Sequence, residues 1–204
     1  MSLEIFVARH GQSEDNIAGV IGGHRDAPLT DLGRQQAGQL AQGVIDAGLS
    51  FDAVYCSPLL RAKETAEIVC LMAKQPEPKV VAQLIERDIG ILEGLPYAEA
   101  IAKCDPAEVL ETDVVTYALS AEGAETFPDL IMRANEVLTD VRAWHKDGRV
   151  LLVCHGDFGK MLYAAATGKD WKEVLLDFHF GNAEMIDLSG NGEAHVIKLE
   201  QFNH

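Results

Sequence analysis

Positive charge is scarce in this chain: 17 Lys plus Arg stand against 32 Asp plus Glu in 204 residues, a formal charge of -15. A surface that acidic repels nucleic acid and anionic membranes, and any anionic ligand needs a local cluster of cations. Cysteine is sparse too. Cys56, Cys70, Cys104 and Cys154 form no CxxC pair and show no metal-ligand spacing, so they read as reduced core thiols in a reducing compartment. His24, His145, His179, His195 and His204 likewise share no ligand spacing, which argues against a metal site. No apolar run reaches the length of about 18 residues needed to span a bilayer, and Met1 to Glu4 carries no basic flank leading into a signal-peptide core. Repeats, linkers and low-complexity tracts are missing as well. The expectation is one cytoplasmic domain over residues 1–204, without nucleic-acid or membrane partners and with a homodimer left open.

What is present is an alternation of two periodicities. Residues 3–8, 53–56, 80–83, 150–154, 183–188 and 195–199 are short, rich in Val and Ile, and separated by helical patterns, which reads as β/α units. Thr30 is placed to cap a helix through Asp46, and Ser57 with Pro58 to open one through Met72. Thr126, with Pro128 and Asp129 behind it, opens another through His145, and 156–166 reads as a fourth. Strands 3–8, 53–56 and 150–154 are almost wholly apolar, as expected where both sheet faces are covered. The turn SGNGE, 189–193, predicts a hairpin and an antiparallel edge. Between about residues 95 and 125 the β/α rhythm lapses, which predicts a partly helical insertion.

Ligands of open α/β sheets sit beyond the carboxyl ends of the strands, and here those ends are polar. LEIFVA runs into Arg9-His10-Gly11, AVYC into Ser57 and then Arg61, KVVAQ into Glu86, and VLLVC into His155-Gly156. Singly, each has a plain explanation: a solvated turn, a surface helix residue, a loop carboxylate, a satisfied core histidine. Jointly, two imidazoles, two guanidiniums and a carboxylate suit a phosphate ester. Arginine offers a permanently charged fork of donors, and Arg61 falls in the first turn of its predicted helix, near the positive end of the helix dipole. Asn16 adds a neutral donor. A neutral histidine whose other nitrogen is fixed by a hydrogen bond can attack phosphorus, and a carboxyl can move the proton.

The segments VARHGQSEDN, DAPLTDLGRQQA, VYCSPLLRAKETAEI, LIERDIGILEGL, GAETFPDLIMRA and LLVCHGDFGKML together resemble the histidine phosphatase superfamily, the phosphoglycerate mutase-like fold, in order and over nearly the whole chain. The resemblance implies a three-layer α/β/α sandwich with a mostly parallel mixed sheet, and with the 95–125 insertion partly covering the site. It implies His10 as nucleophile, Glu86 as acid and base, and Arg9, Asn16, Arg61 and His155 as the phosphate pocket. No metal and no cofactor are implied. Gln12 departs from the glutamate of many relatives and is expected to tune the pocket. Asp157 and Lys160 follow His155 where many relatives have small apolar residues, and Asp157 is expected to cap the next helix.

Within the superfamily the pattern is similar to small bacterial phosphatases of the broad-specificity and α-ribazole types, so the expected partner is a small phosphorylated metabolite. The stretch 17–33 lacks the tryptophan-bearing segment typical of cofactor-dependent mutases, and the chain is shorter than theirs without a basic tail. Phosphoglycerate mutase or fructose-2,6-bisphosphatase-like activity is the alternative. The insertion lacks an obvious cation cluster, although Lys103, Arg133 and Lys160 keep multiply phosphorylated substrates open. A non-catalytic phosphate-binding module is the third reading; it would usually lack a catalytic residue.

Overall fold

The alternation of side chains along three apolar strands decides how this protein is layered. In the computed structural model, which describes residues 2–113, 115–189 and 195–198, the strands in chain order are β1 (Leu3–Arg9), β2 (Ala53–Cys56), β3 (Lys79–Val80), β4 (Val109–Glu111), β5 (Thr116–Ala118), β6 (Gly148–Cys154), β7 (Met185–Asp187) and β8 (His195–Ile197). The helices are α1 (Glu14–Ala18), α2 (Asp31–Asp46), α3 (Leu60–Met72), α4 (Tyr97–Ala102), α5 (Phe127–Trp144), α6 (Gly156–Thr167) and α7 (Trp171–Asp177). Successive strand residues point to opposite faces. Ile5, Val7, Ala53, Tyr55, Val150 and Leu152 therefore join the core under α5, α6 and α7. Phe6, Ala8, Val54, Cys56, Leu151 and Val153 join the core under α2 and α3. Leu151 and Leu152 are both fully buried, and truncating either to alanine should cost about 2–5 kcal/mol.

The main sheet has the order β3-β2-β6-β1-β7-β8. Its first four members are parallel, β7 runs antiparallel to β1, and β8 antiparallel to β7. The architecture is a three-layer α/β fold with a mostly parallel mixed sheet. β4 and β5 form a separate antiparallel pair which, with α4, lies within the stretch where the β/α rhythm lapses.

Several boundaries differ from the sequence expectation. The strand at 80–83 shrinks to Lys79–Val80, because Ala82–Leu84 turns into a 3-10 helix at the sheet edge. The strand at 183–188 starts only at Met185, since Ala183 sits at φ 55 in a left-handed turn. Ser57 does not cap α3: that helix starts at Leu60 behind Leu59, and Ser57 has another partner. α1 and α7 have no counterpart in the sequence reading. Thr126 does cap α5, in a capping box with Asp129. β7 and β8 pair as the hairpin signal implied, but the turn itself lies mostly outside the described residues.

Candidate active site

Strand register brings the polar strand ends to one level. Arg9 pairs with Cys154 across β1 and β6, and Cys56 with Val153 across β2 and β6. Arg9-His10, Ser57 and His155-Gly156 thus leave the sheet side by side. The His10 backbone is held on both sides: its N–H donates to Cys154 O at 3.0 Å, and its carbonyl accepts from Ala183 N and Asn182 Nδ2, each at 3.1 Å. Gly11 has a steric reason, because a Cβ there would run into the Gly33 carbonyl at the start of α2. A Cβ on Gly33 would likewise run into the Gln12 carbonyl.

The ring of His10 has a fixed tautomer. Its Nδ1 lies 2.6 Å from Gly11 O, a pure acceptor, so the proton sits on Nδ1. That leaves the Nε2 lone pair, which accepts from Arg61 Nε at 3.2 Å. Burial, then the charges of Arg61 and Arg9, hold the His10 pKa well below the usual 6.5, so the imidazole is neutral. His155, whose ring centroid lies 5.1 Å from that of His10, is lowered well below 6.5 by burial and then Arg61. Its Nε2 meets Ser57 Oγ at 2.7 Å. Ser57 Oγ also accepts from Leu59 N at 3.3 Å, and among the described residues its own hydrogen has no acceptor but Nε2, which puts the His155 proton on Nδ1.

The buried donors His155 Nδ1 and Arg9 Nε have no hydrogen-bond partner among the described residues. Buried orphan donors are rare, and two of them next to the His10 ring suit an anion. Arg9 is oriented by donation from Nη1 to Phe180 O at 2.8 Å. The second cation is held by the loop after α1: Arg61 Nη1 donates to Arg25 O at 2.6 Å and Nη2 to Gly23 O at 2.9 Å. That loop leaves His10 only 3% and Arg61 only 4% exposed.

Glu86 stands at the N-terminus of α6. Its carboxylate accepts from Phe158 N at 3.0 Å, Asp157 N at 3.2 Å and Arg87 N at 2.9 Å. Glu86 therefore does the capping expected of Asp157, which occupies the first turn of α6 with its side chain on the cleft. Its loop is tied by Arg133, which donates to the carbonyls of Gln83, Ile85 and Glu86 and lies 4.3 Å over the Phe158 ring. His24 Nε2 also reaches Glu86 O at 2.8 Å.

Glu86 and Arg9 open onto a cleft of about 490 Å³, walled further by Asp157, Lys160, Tyr117 and Phe178. Burial and then the Glu86 charge push the Asp157 carboxyl up to about 6, and burial lowers Lys160 to about 8. Asn16 lies on a neighbouring cavity of about 330 Å³ that shares Arg9 and Asp157. Its Oδ1 is used in the Ser13 capping box, which leaves its amide nitrogen as the donor. Gln12 lines neither cavity. Its side chain accepts from Thr30 at 3.0 Å and its N–H donates to Gln36, fixing the start of α2.

Arg9, His10, Arg61, Glu86 and His155 thus come together, with Asn16 at the edge. Sequence reasoning assigned no role to Tyr117 or Arg87, took Ser57 for a helix start, and weighed Lys160 only as a cation for multiply phosphorylated substrates. A signal for Lys160 existed: a lysine inside the apolar helix GDFGKMLYAAA is out of place unless it has work there. Among the described residues no group of three or more His, Cys, Asp or Glu is arranged to hold a metal ion, and no helix is long and apolar enough to cross a membrane.

Known proteins resemble this chain in sequence and in fold. The chain is 34% identical over 163 residues to phosphoglycerate mutase-like protein 4 of Arabidopsis thaliana, covering 80% of this chain and 70% of that protein. It is 32% identical over 204 residues to a 2,3-bisphosphoglycerate-dependent phosphoglycerate mutase of Rhizobium meliloti (98% and 96% covered). It is also 32% identical over 171 residues to a metal-independent phosphoserine phosphatase of Arabidopsis thaliana (80% and 68%). The fold matches that of a phosphoserine phosphatase from Entamoeba histolytica, with a TM-score of 0.76 at 23% identity over 99% of this chain and 97% of the other. The profile of the histidine phosphatase superfamily (branch 1) matches residues 5–202. With that match spanning nearly all of the sequence, the chain belongs to the histidine phosphatase superfamily.

Proposed function

We propose that the protein is a phosphatase that hydrolyses small phosphomonoesters through a phosphohistidine on His10, without a metal. The observation that carries this is the fixed tautomer of His10: Nδ1 is committed to Gly11 O, and a neutral Nε2 lone pair stands among Arg9, Arg61 and His155. In the first step the Nε2 lone pair forms a bond to phosphorus while the ester P–O bond breaks, and the leaving oxygen takes a proton from Glu86. The guanidiniums and the Nδ1–H of His155 stabilise the charge on the transferring oxygens. In the second step Glu86 takes a proton from water, whose oxygen attacks phosphorus as the P–N bond breaks, releasing phosphate and restoring His10. Four free thiols suit a reducing, cytoplasmic setting.

Hydrolysis is favoured over intramolecular transfer by the cleft wall. Asp113, Asp157 and Asp177 outnumber Lys160 there, and a mutase must hold a substrate bearing a carboxylate and two phosphoryl positions. The alternative, a phosphoglycerate mutase, rests on the mutase of Rhizobium meliloti that matches the chain end to end. One assay separates the readings: purified protein is given p-nitrophenyl phosphate with EDTA, and separately 3-phosphoglycerate with 2,3-bisphosphoglycerate. Nitrophenol release that survives chelation and vanishes in His10→Ala is the expected result. Formation of 2-phosphoglycerate at a rate exceeding phosphate release would replace it with the mutase.

A further inference from the structure

Lys160 is a buried nucleophile for which the two-step mechanism has no use. It lies within α6, is 8% exposed, and lines the cleft beside Arg9, Glu86 and Asp157. A lysine at that depth ordinarily has a carboxylate on its ammonium. Among the described residues no ion pair reaches Lys160; its Nζ donates to the Tyr117 hydroxyl and lies 5.0 Å from the centroid of that ring. Burial pulls its pKa down from 10.5, Asp157 and Glu86 oppose the fall, Arg9 adds to it, and the result is about 8. At pH 7 about one Lys160 in ten is thus a free amine. An uncharged amine in a water-poor wall is the form of lysine that attacks carbonyl carbon. Asp157, three residues earlier on the helix, titrates at about 6 and its carboxylate accepts no hydrogen bond among the described residues, so it is free to carry protons.

We propose that Lys160 forms an imine with phosphate esters that carry an aldehyde, the phosphate resting against Arg9, Arg61 and His155 and the carbonyl carbon on Nζ. This rests on the anion pocket around His10 and not on turnover there. The Nζ lone pair forms a bond to the carbonyl carbon while the C=O electron pair moves onto oxygen. Two protons then pass from nitrogen to that oxygen, with Asp157 as carrier, the C–O bond breaks, and amine and aldehyde become imine and water with nothing else consumed. An ester without a carbonyl has nothing for Nζ to attack, and an aldehyde without a phosphate lacks the anchor at Arg9. The bond is reversible by hydrolysis, so esters of this class act as slow covalent competitors of ordinary substrates. The groups that set the reactivity of Nζ come from four directions: Asp157 on its own helix, Arg9 from β1, Glu86, and Tyr117 from β5, with His179 also within range of its charge.

The test uses pyridoxal 5′-phosphate as probe on the wild-type protein and on His10→Ala, in which the ester stays intact. After incubation at pH 7 and reduction with borohydride, the labelled lysines are read by peptide mass spectrometry. The adduct should form on Lys160 at least about tenfold faster than on exposed lysines, because far more of its nitrogen is free amine. Inorganic phosphate should suppress it, pyridoxal without the phosphate should give at least about tenfold less, and the rate should rise with pH through a midpoint near 8. In Lys160→Arg the adduct should vanish, together with the progressive part of the inhibition of p-nitrophenyl phosphate hydrolysis. Labelling spread over exposed lysines, equal labelling by pyridoxal, or indifference to phosphate overturns the assignment. If a variant fails to fold, the wild-type labelling pattern still decides. Nitrophenyl turnover without the Lys160 adduct sinks this inference alone, whereas the adduct in a protein without turnover upholds it and sinks the phosphatase reading.

Discussion

Replacing Ser57 with alanine removes a single oxygen from a place that water does not reach, since Ser57 and His155 are both 0% exposed. Two hydrogen bonds go with it: the one to His155 Nε2 at 2.7 Å and the one from Leu59 N at 3.3 Å. Each neutral hydrogen bond is worth about 1 kcal/mol net, and stranding a buried acceptor costs about 1–3 kcal/mol. The structure should therefore lose about 2 kcal/mol in urea denaturation. The functional effect has a separate origin. The serine hydrogen keeps the His155 proton on Nδ1, the nitrogen with no partner of its own. Without that hydrogen the proton can settle on Nε2, and Nδ1 then turns a lone pair toward the anion. Loss of one donor to the transferring phosphoryl group should lower kcat about 100- to 1,000-fold, while Ser57→Thr retains most of the activity. Long-range proton–nitrogen correlation spectra of wild type should show His155 protonated at Nδ1. A variant with the full stability loss but kcat within twofold of wild type would refute the tautomer argument and leave Ser57 a packing residue.

Three further outcomes are expected. Glu86→Gln should slow alkyl phosphates more than p-nitrophenyl phosphate, because a phenolate leaves with little protonation; equal slowing in steady-state kinetics would remove Glu86 as the acid. Gly33→Ala should cost about 1–3 kcal/mol, because its Cβ meets backbone of Gln12. Gly38→Ala on the same helix, facing only Met72 at 3.6 Å or more, should be neutral or stabilising by chemical denaturation. Acid should destabilise the protein. Below pH 6.5 the unfolded chain protonates His10 and His155, which the fold keeps neutral beside Arg9, Arg61 and Arg133. Stability from these groups is thus complete above about pH 6.5 and lost as pH falls. Asp157, facing Glu86, Arg87, Lys160 and Arg9, acts oppositely, binding a proton at about 6 when folded against 3.8 ordinarily. Two imidazoles against one carboxyl leave a slope of about 1.4 kcal/mol per pH unit between pH 6 and 5, rising to about 2.7 in Asp157→Asn. Urea midpoints that do not fall over that range would contradict the buried neutral imidazoles.

How far the sequence reached depends on how local the cause was. β1, β2 and β6 are apolar on both faces, so their strands and the polar residues behind them were legible, and with them His10, Arg61 and His155, whereas Glu86 was read from the end of 80–83, which is strand only over Lys79–Val80. Thr126 and Asp129 announce α5 by a capping box that needs three residues only. Partnerships across the chain left no such trace. Tyr117 meets Lys160 from 43 positions away, and Ser57 meets His155 from 98. Ser57-Pro58 is locally a good helix start, but tertiary demand for the serine hydroxyl moved the start to Leu60. Asp157 was read as a cap for the same reason: local rules could not show that Glu86, 71 residues earlier, had taken those amides.

The grip of Arg61 on the carbonyls of Gly23 and Arg25 sets a threshold for entry. Those two peptide oxygens compete permanently for the guanidinium hydrogens, so an incoming ester must be the better acceptor. A phosphate monoester dianion clears that bar easily through charge-assisted bonds, whereas a sulfate monoester, with one charge over the same three oxygens, gains far less by the exchange. Occupancy should consequently track the second ionisation of the phosphate, near about pH 6. The choice between phosphate and sulfate then belongs as much to the backbone of residues 22–26 as to the cation it restrains.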